Sequence, residues 1–114
     1  MTDFSKLSDQ EINLLIAEIL NPDSTVIESK SRPPSACITG HLPTLWVDYC
    51  NNPADAWQII FENKIMLSPR CADDEWKAEI YLGREDIFDN YASAWHKNPL
   101  RAAMIVFLMM QEGD

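Results

Sequence analysis

Asn98-Pro99-Leu100-Arg101-Ala102-Ala103-Met104-Ile105-Val106-Phe107-Leu108-Met109-Met110 announces a helix and then leaves it almost no polar side. Asn is a favoured N-cap because its side chain accepts from an otherwise unpaired backbone N–H, and Pro suits the first helical position, where no donor is missed. Leu100, Ala103, Met104, Phe107, Leu108 and Met110 then fill successive turns, and a helix that is apolar nearly all round belongs inside a fold. Its length is about half that of a bilayer span, which predicts a buried helix rather than an anchor. A chain of 114 residues, 46% hydrophobic and 24% charged, has room for one core, so a single domain over 1–114 is expected around this helix.

Asn52-Pro53 repeats the start signal, and Ala56, Trp57, Ile59, Ile60 and Phe61 carry a second helix to about Asn63. Near the N-terminus, Ser8 and Glu11 have capping-box spacing, and Ile12, Leu15, Ile16, Ile19 and Leu20 form an apolar stripe that ends at Asn21-Pro22. Between these helices Val26-Ile27, Ala36 to Thr39 and Leu45 to Val47 are short strand candidates. A strand over Lys64 to Leu67 is expected before Ser68-Pro69 turns the chain. Trp76, Ala78, Ile80 and Leu82 alternate with Lys77, Glu79 and Tyr81, the period of a half-buried strand that Gly83 should close. Ile87, Phe88, Tyr91 and Trp95 suggest one face of a short acidic helix. The predicted class is α+β: a small antiparallel sheet packed against two or three helices, with the apolar C-terminal helix central.

Eighteen acidic and nine basic side chains give a net charge of -9, which disfavours direct nucleic-acid binding. Asp73, Asp74, Glu75, Glu79, Glu85, Asp86 and Asp89 crowd one stretch, opposed only by Lys77 and Arg84. The plain reading is a solvated face; the sharper one is a surface, with Trp76, that docks on a basic partner or imitates DNA. The acidic N-terminus lacks a signal-peptide pattern, and Cys37, Cys50 and Cys71 lack a disulfide framework, so reduced thiols in a cytoplasm are expected.

Cys37, His41, Cys50 and Cys71 contain the residue types of a structural zinc site but not its tight Cys-x-x-Cys knuckles, so buried thiols are the favoured reading and no metal or cofactor is expected. Asp55 and Arg101 each stand three residues after a capping Asn. Were the two helix starts side by side, they would pair across and frame a polar notch with Asn51 and Asn52: a structural clamp, or a pocket in which Arg101 grips an anion. Glu75 and Lys77 on one strand face are a weak nuclease pattern that fits an acidic protein poorly. Neither His41 nor His96 has a neighbouring nucleophile in sequence. Four Trp residues are generous for this length, and one or two exposed would favour a partner-binding face.

Asp48-Tyr49-Cys50-Asn51-Asn52-Pro53-Ala54-Asp55-Ala56-Trp57, continuing through Ile59-Ile60 to Glu62-Asn63, resembles the central motif of the phage NinX family. The run from Asn98 to Glu112 resembles that family's C-terminal signature, and Leu7 to Asn13 its opening. Tyr49 and Gln58 stand where the family pattern has Pro, and residues 22–44 and 68–97 match weakly. The resemblance implies an accessory protein of lambda-like phages and prophages in enteric bacteria and carries no reaction with it. With no catalytic motif or phosphate loop in view, the leading expectation is a module that binds a host or phage protein. An acidic DNA mimic and a small ligand-binding domain or enzyme at the notch are the alternatives. A second copy of the chain is another possible cover for the apolar helix.

Overall fold

A computed structural model of the chain describes residues 2–40, 44–70 and 72–113. After a single turn of 3-10 helix at Phe4–Lys6, helix α1 spans Asp9–Leu20. Its capping box is complete: Ser8 Oγ accepts from the Glu11 N–H at 3.1 Å and the Glu11 carboxylate accepts from the Ser8 N–H at 3.0 Å. The buried face of α1 is Ile12, Asn13, Ile16 and Ala17, so Ile19 and Leu20, expected within the stripe, lie exposed at the helix end.

Strands β1 (Val26–Glu28), β2 (Ala36–Ile38) and β3 (Leu45–Val47) form the first antiparallel sheet, in that order. Ala36 and Ile38 point into the core, while Cys37 lies across from Ile27 and Trp46 on the other face. Helix α2 (Pro53–Glu62) starts as its sequence predicts, with Asn52 Oδ1 accepting from the Ala54 N–H at 3.0 Å. It ends in a left-handed cap: Lys64 has φ 51°, its N–H reaches the Phe61 carbonyl, and the Ile65 N–H reaches that of Ile60 at 3.0 Å. Ile60 and Ile65 are both buried beside this cap.

The second sheet contains β4 (Met66–Arg70), β5 (Glu75–Glu85) and β6 (Phe88–His96), antiparallel in that order. Two sheets thus replace the single one expected. Ser68-Pro69 does not turn the chain but lies within β4. An edge strand has one side free of ladder bonds, which is where a proline is tolerated. Gly83 does not close β5 either. It takes φ +117° where the register skips from Tyr81↔Tyr91 to Gly83↔Asn90, and β5 continues past this bulge to Glu85.

The helix expected over Ile87 to Trp95 is the strand β6. Ile87, Tyr91 and Trp95 are spaced by four, which suits one helix face and one strand face equally. The arbiter is Ala92 and Ala94, buried between exposed Tyr91 and Trp95 in strict alternation. A two-residue connection, Asp86-Ile87, joins Glu85 to its partner Phe88.

Helix α3 (Pro99–Gly113) lies on the second sheet and also packs against α1 and α2. Residues Arg101 to Leu108 are buried without interruption, so this chain covers the helix by itself. Ala78, Ala92 and Ala94 on the sheet and Ala102 and Ala103 on the helix are small enough to let backbones approach closely. The buried side chains make one cluster, yet residues 81–91 of β5 and β6 run past it as a two-stranded arm that is almost wholly exposed. The radius of gyration, 14.6 Å, exceeds the roughly 13 Å of a compact chain of this length.

Lys64 carries a side chain in a backbone region that suits glycine. Lys64→Gly should therefore stabilise the fold by about 0.5–1 kcal/mol, read from urea denaturation at constant m.

Candidate functional site

Asn98 caps α3 through Oδ1, which accepts from the N–H groups of Leu100 at 3.0 Å and Arg101 at 3.4 Å. Its amide nitrogen donates to the Cys50 carbonyl at 2.7 Å and to Asn51 Oδ1 at 3.2 Å. The two Asn-Pro helix starts are therefore neighbours, as the notch requires.

Arg101 turns elsewhere than expected. Its guanidinium, 9% exposed, donates to Asp9 Oδ1 at 2.6 Å and to the carbonyls of Ser5 at 3.1 Å and Leu7 at 2.6 Å. A cation at a helix N-terminus is disfavoured by the peptide dipoles, and Asp9 offsets that cost from the first turn of α1. Asp55 instead accepts from the Asp48 N–H at 3.0 Å, closing the turn before its own helix, and Asn52 is occupied as that helix's cap. Of the four notch residues, Asn51 and Arg101 meet on Asp9, because Asn51 Nδ2 donates to Asp9 Oδ2 at 3.1 Å. Asn52 and Asp55 do not join them.

The residue that ties this junction to the core is Asn13, which sequence reasoning passed over. It is buried on the apolar face of α1 and uses its whole hydrogen-bonding capacity. Oδ1 accepts from the N–H groups of Tyr49 at 2.9 Å and Cys50 at 3.2 Å, while Nδ2 donates to the Pro34 carbonyl at 3.0 Å and to Asp48 at 2.9 Å. Its signal in the sequence was a polar residue between Ile12 and Ile16, where the stripe calls for an apolar one. The notch is thus filled by its own side chains.

Burial, helped by the nearby Asp9 charge, pushes the Cys50 thiol from its ordinary 9.0 up to about 12. Burial and Asp55 push the Tyr49 hydroxyl from 10.0 to about 12. A thiol so held is a poor nucleophile and a poor metal ligand. Cys37 sits on the first sheet, and the other two members of the zinc set, His41 and Cys71, lie outside the described residues. Among the described residues no group of three or more His, Cys, Asp or Glu is placed to hold a metal ion.

The acidic stretch is divided by the geometry of β5. Asp73, Asp74 and Glu75 lie at one end, Glu85 and Asp86 at the other, and a strand of 11 residues separates its ends by about 34 Å. Asp73 pairs with Arg70 at 3.2 Å, Glu79 with Lys77 at 3.4 Å, and Asp89 accepts from the Tyr81 hydroxyl at 3.0 Å. Trp76 points toward the core side of β5 and is half-buried. These residues do not converge on one patch.

Exposed aromatic and aliphatic side chains do gather: on the outer face of the first sheet, where Ile27 and Trp46 flank Cys37 and Arg32 lies 4.1 Å from the Trp46 ring, on α2 and on the arm. On α2, Trp57 and Phe61 pair at 6.2 Å and are each more than 60% exposed. On the arm, Tyr81 and Tyr91 meet edge to face at 5.4 Å, Leu82 lies at the bulge and the tip presents Ile87 and Phe88, while nearer the body Lys77 lies 5.5 Å from the Trp95 ring. Ile87 and Phe88 are 75% and 68% exposed.

The α+β class expected from the sequence is the one the structure has. The chain belongs to the NinX family, for the family model described as Bacteriophage P22, NinX matches residues 3–111. No curated protein matches the chain, and no solved structure does. No helix among the described residues is long and apolar enough to cross a membrane.

Three outcomes are expected of the junction. Asn13→Ala strands two buried N–H groups and should cost about 3 kcal/mol or more in urea denaturation. Arg101→Ala should cost about 3 kcal/mol and Asp55→Ala about 1 kcal/mol, the difference reflecting the burial of the guanidinium. Because Cys50 and Tyr49 ionise more readily unfolded than folded, stability should hold up to about pH 9 and decline as pH rises toward 12. Melting temperature against pH measures this, and Cys50→Ala should shallow the decline.

Proposed function

We propose that the protein is a binding module that acts by engaging a host or phage protein, with the β5–β6 arm as its contact surface. One observation carries this reading: Ile87 and Phe88, large apolar side chains, stand in water at the tip of the hairpin arm, outside the buried cluster. Large apolar groups kept in water at a protruding tip weaken solubility, and contiguous exposure of this kind marks interaction sites. Aromatic anchors at such sites supply most of the binding energy of an interface. Membership of the NinX family supplies the phage setting.

The alternatives draw less support. A DNA mimic needs carboxylates in a continuous array, whereas here the two acidic groups sit at opposite ends of β5. A small-ligand site at the helix starts needs free polar groups, whereas Asn13, Asn51, Asn98 and Arg101 are engaged chiefly by Asp9, Asp48 and nearby backbone groups.

The test is a tagged pull-down from phage-infected lysate at low and high salt, beside a charge-matched acidic control. One stoichiometric partner, retained at high salt and lost with Ile87→Ser/Phe88→Ser at unchanged melting temperature, is the expected result. Absence of any partner at either salt would overturn the reading.

A further inference from the structure

The arm meets the body of the protein along β6, the outer strand of its sheet. Among the described residues, no strand lies beside one row of backbone N–H and C=O groups from Phe88 to His96. The opposite edge, β4, is shorter and carries Pro69, a common way of blunting an edge against further pairing. The nine residues of β6 contain no Pro, Lys or Arg and no bulge beyond Tyr91.

Two adjoining cavities follow this free edge. The larger, about 490 Å³, lies between Ser93, Ala94 and Trp95 on one side and Phe4 and Ser5 on the other, with Ile105 and Met109 beneath. The smaller, about 270 Å³, continues past Ala92 and Tyr91 to Leu82 and shares Phe4 and Met109. Together they make a trough with an apolar floor beside five consecutive residues of an unpaired strand. Asp3 and Glu112 stand on its lip, Asp89 lies near the hairpin end of β6, and no basic side chain lines it among the described residues.

We propose that the free edge of β6 is a strand-addition site for an extended segment of a partner protein in which apolar and basic side chains alternate. Successive side chains of an added strand point to opposite faces. One set enters the trough over Phe4, Ile105 and Met109. The other lies beside the Tyr91 ring, where Lys or Arg gains cation–π contact and the Asp89 carboxylate, while the Trp95 ring already carries Lys77 at 5.5 Å. A second copy of this chain fits worse. Two chains of charge -9 would bring like-charged rims together. The proposal rests on the protein-binding reading of the arm and specifies how the partner is held.

The experiment pans displayed random dodecapeptides against the full chain, then resynthesises an enriched peptide with backbone N-methylation on either alternate set of residues. Enrichment of alternating apolar and basic residues is expected. Methylation of the edge-facing set should weaken binding at least about tenfold and methylation of the other set should not. Ser5→Trp, which fills the trough from its exposed wall, should weaken binding comparably, with Thr2→Trp as the second variant should the first unfold. Enrichment of helically spaced residues, insensitivity to which set is methylated, or a dimer in sedimentation that Ser5→Trp disperses would each overturn it. So would failure of every peptide. If a lysate partner is still captured in that case, strand addition falls and the protein-binding reading stands; if none is captured, both fall.

Discussion

Helix α3 has no side that water can occupy, and everything else in the molecule is arranged around that constraint. Eight consecutive buried residues require cover through a full circle, which the second sheet gives on one side and α1 and α2 on others. A helix enclosed in this way still has unpaired N–H groups at its start. They emerge where α1, the turn before α2 and the strap from Phe4 to Leu7 converge, so the polar junction is a consequence of the burial. Asn98 satisfies the helix, Arg101 satisfies the strap, and Asn13 carries the turn before α2 into the core.

Much of this was legible from residue order. Ser8 with Glu11, Asn52-Pro53 and Asn98-Pro99 marked the three helix starts, because capping is local chemistry. The short strands of the first sheet were also placed by their apolar pairs. What was not legible was long-range. Arg101 visibly lacked a partner, but Asp9, 92 residues away, was no better marked than Asp55. Asn13 showed only as an interruption, since four partners from two distant loops leave no trace in its own neighbourhood. The helix expected over Ile87 to Trp95 failed for a different reason. A spacing of four satisfies both periods, and small alanines decided the matter without registering as an apolar pattern.

The acidic stretch shows how sequence proximity misleads in a hairpin. Residues 73 to 89 are close in the chain, but β5 carries its two ends about 34 Å apart, with Glu79 and Asp89 tied to Lys77 and Tyr81 on the way. The same hairpin gathers what the sequence scattered. Ile87 and Phe88 stand together at the tip, and Tyr81 meets Tyr91 across the strands. Charge is spread thinly along the sheet while apolar surface is concentrated at its end.

The central helix follows both sheets and the other two helices in chain order, and this bears on how the protein comes into being. During synthesis both sheets and the first two helices leave the ribosome before the element on which they pack. Ala78 and Ile80 then lack the helix that covers their face of the sheet, and Ile12 and Ile16 lack part of their cover. The nascent chain must hold its apolar faces in water until α3 arrives, and closing those long-range contacts is entropically slow. A chain halted before Asn98 is accordingly not a smaller version of this protein but a set of uncovered faces, suited to capture by chaperones or to degradation.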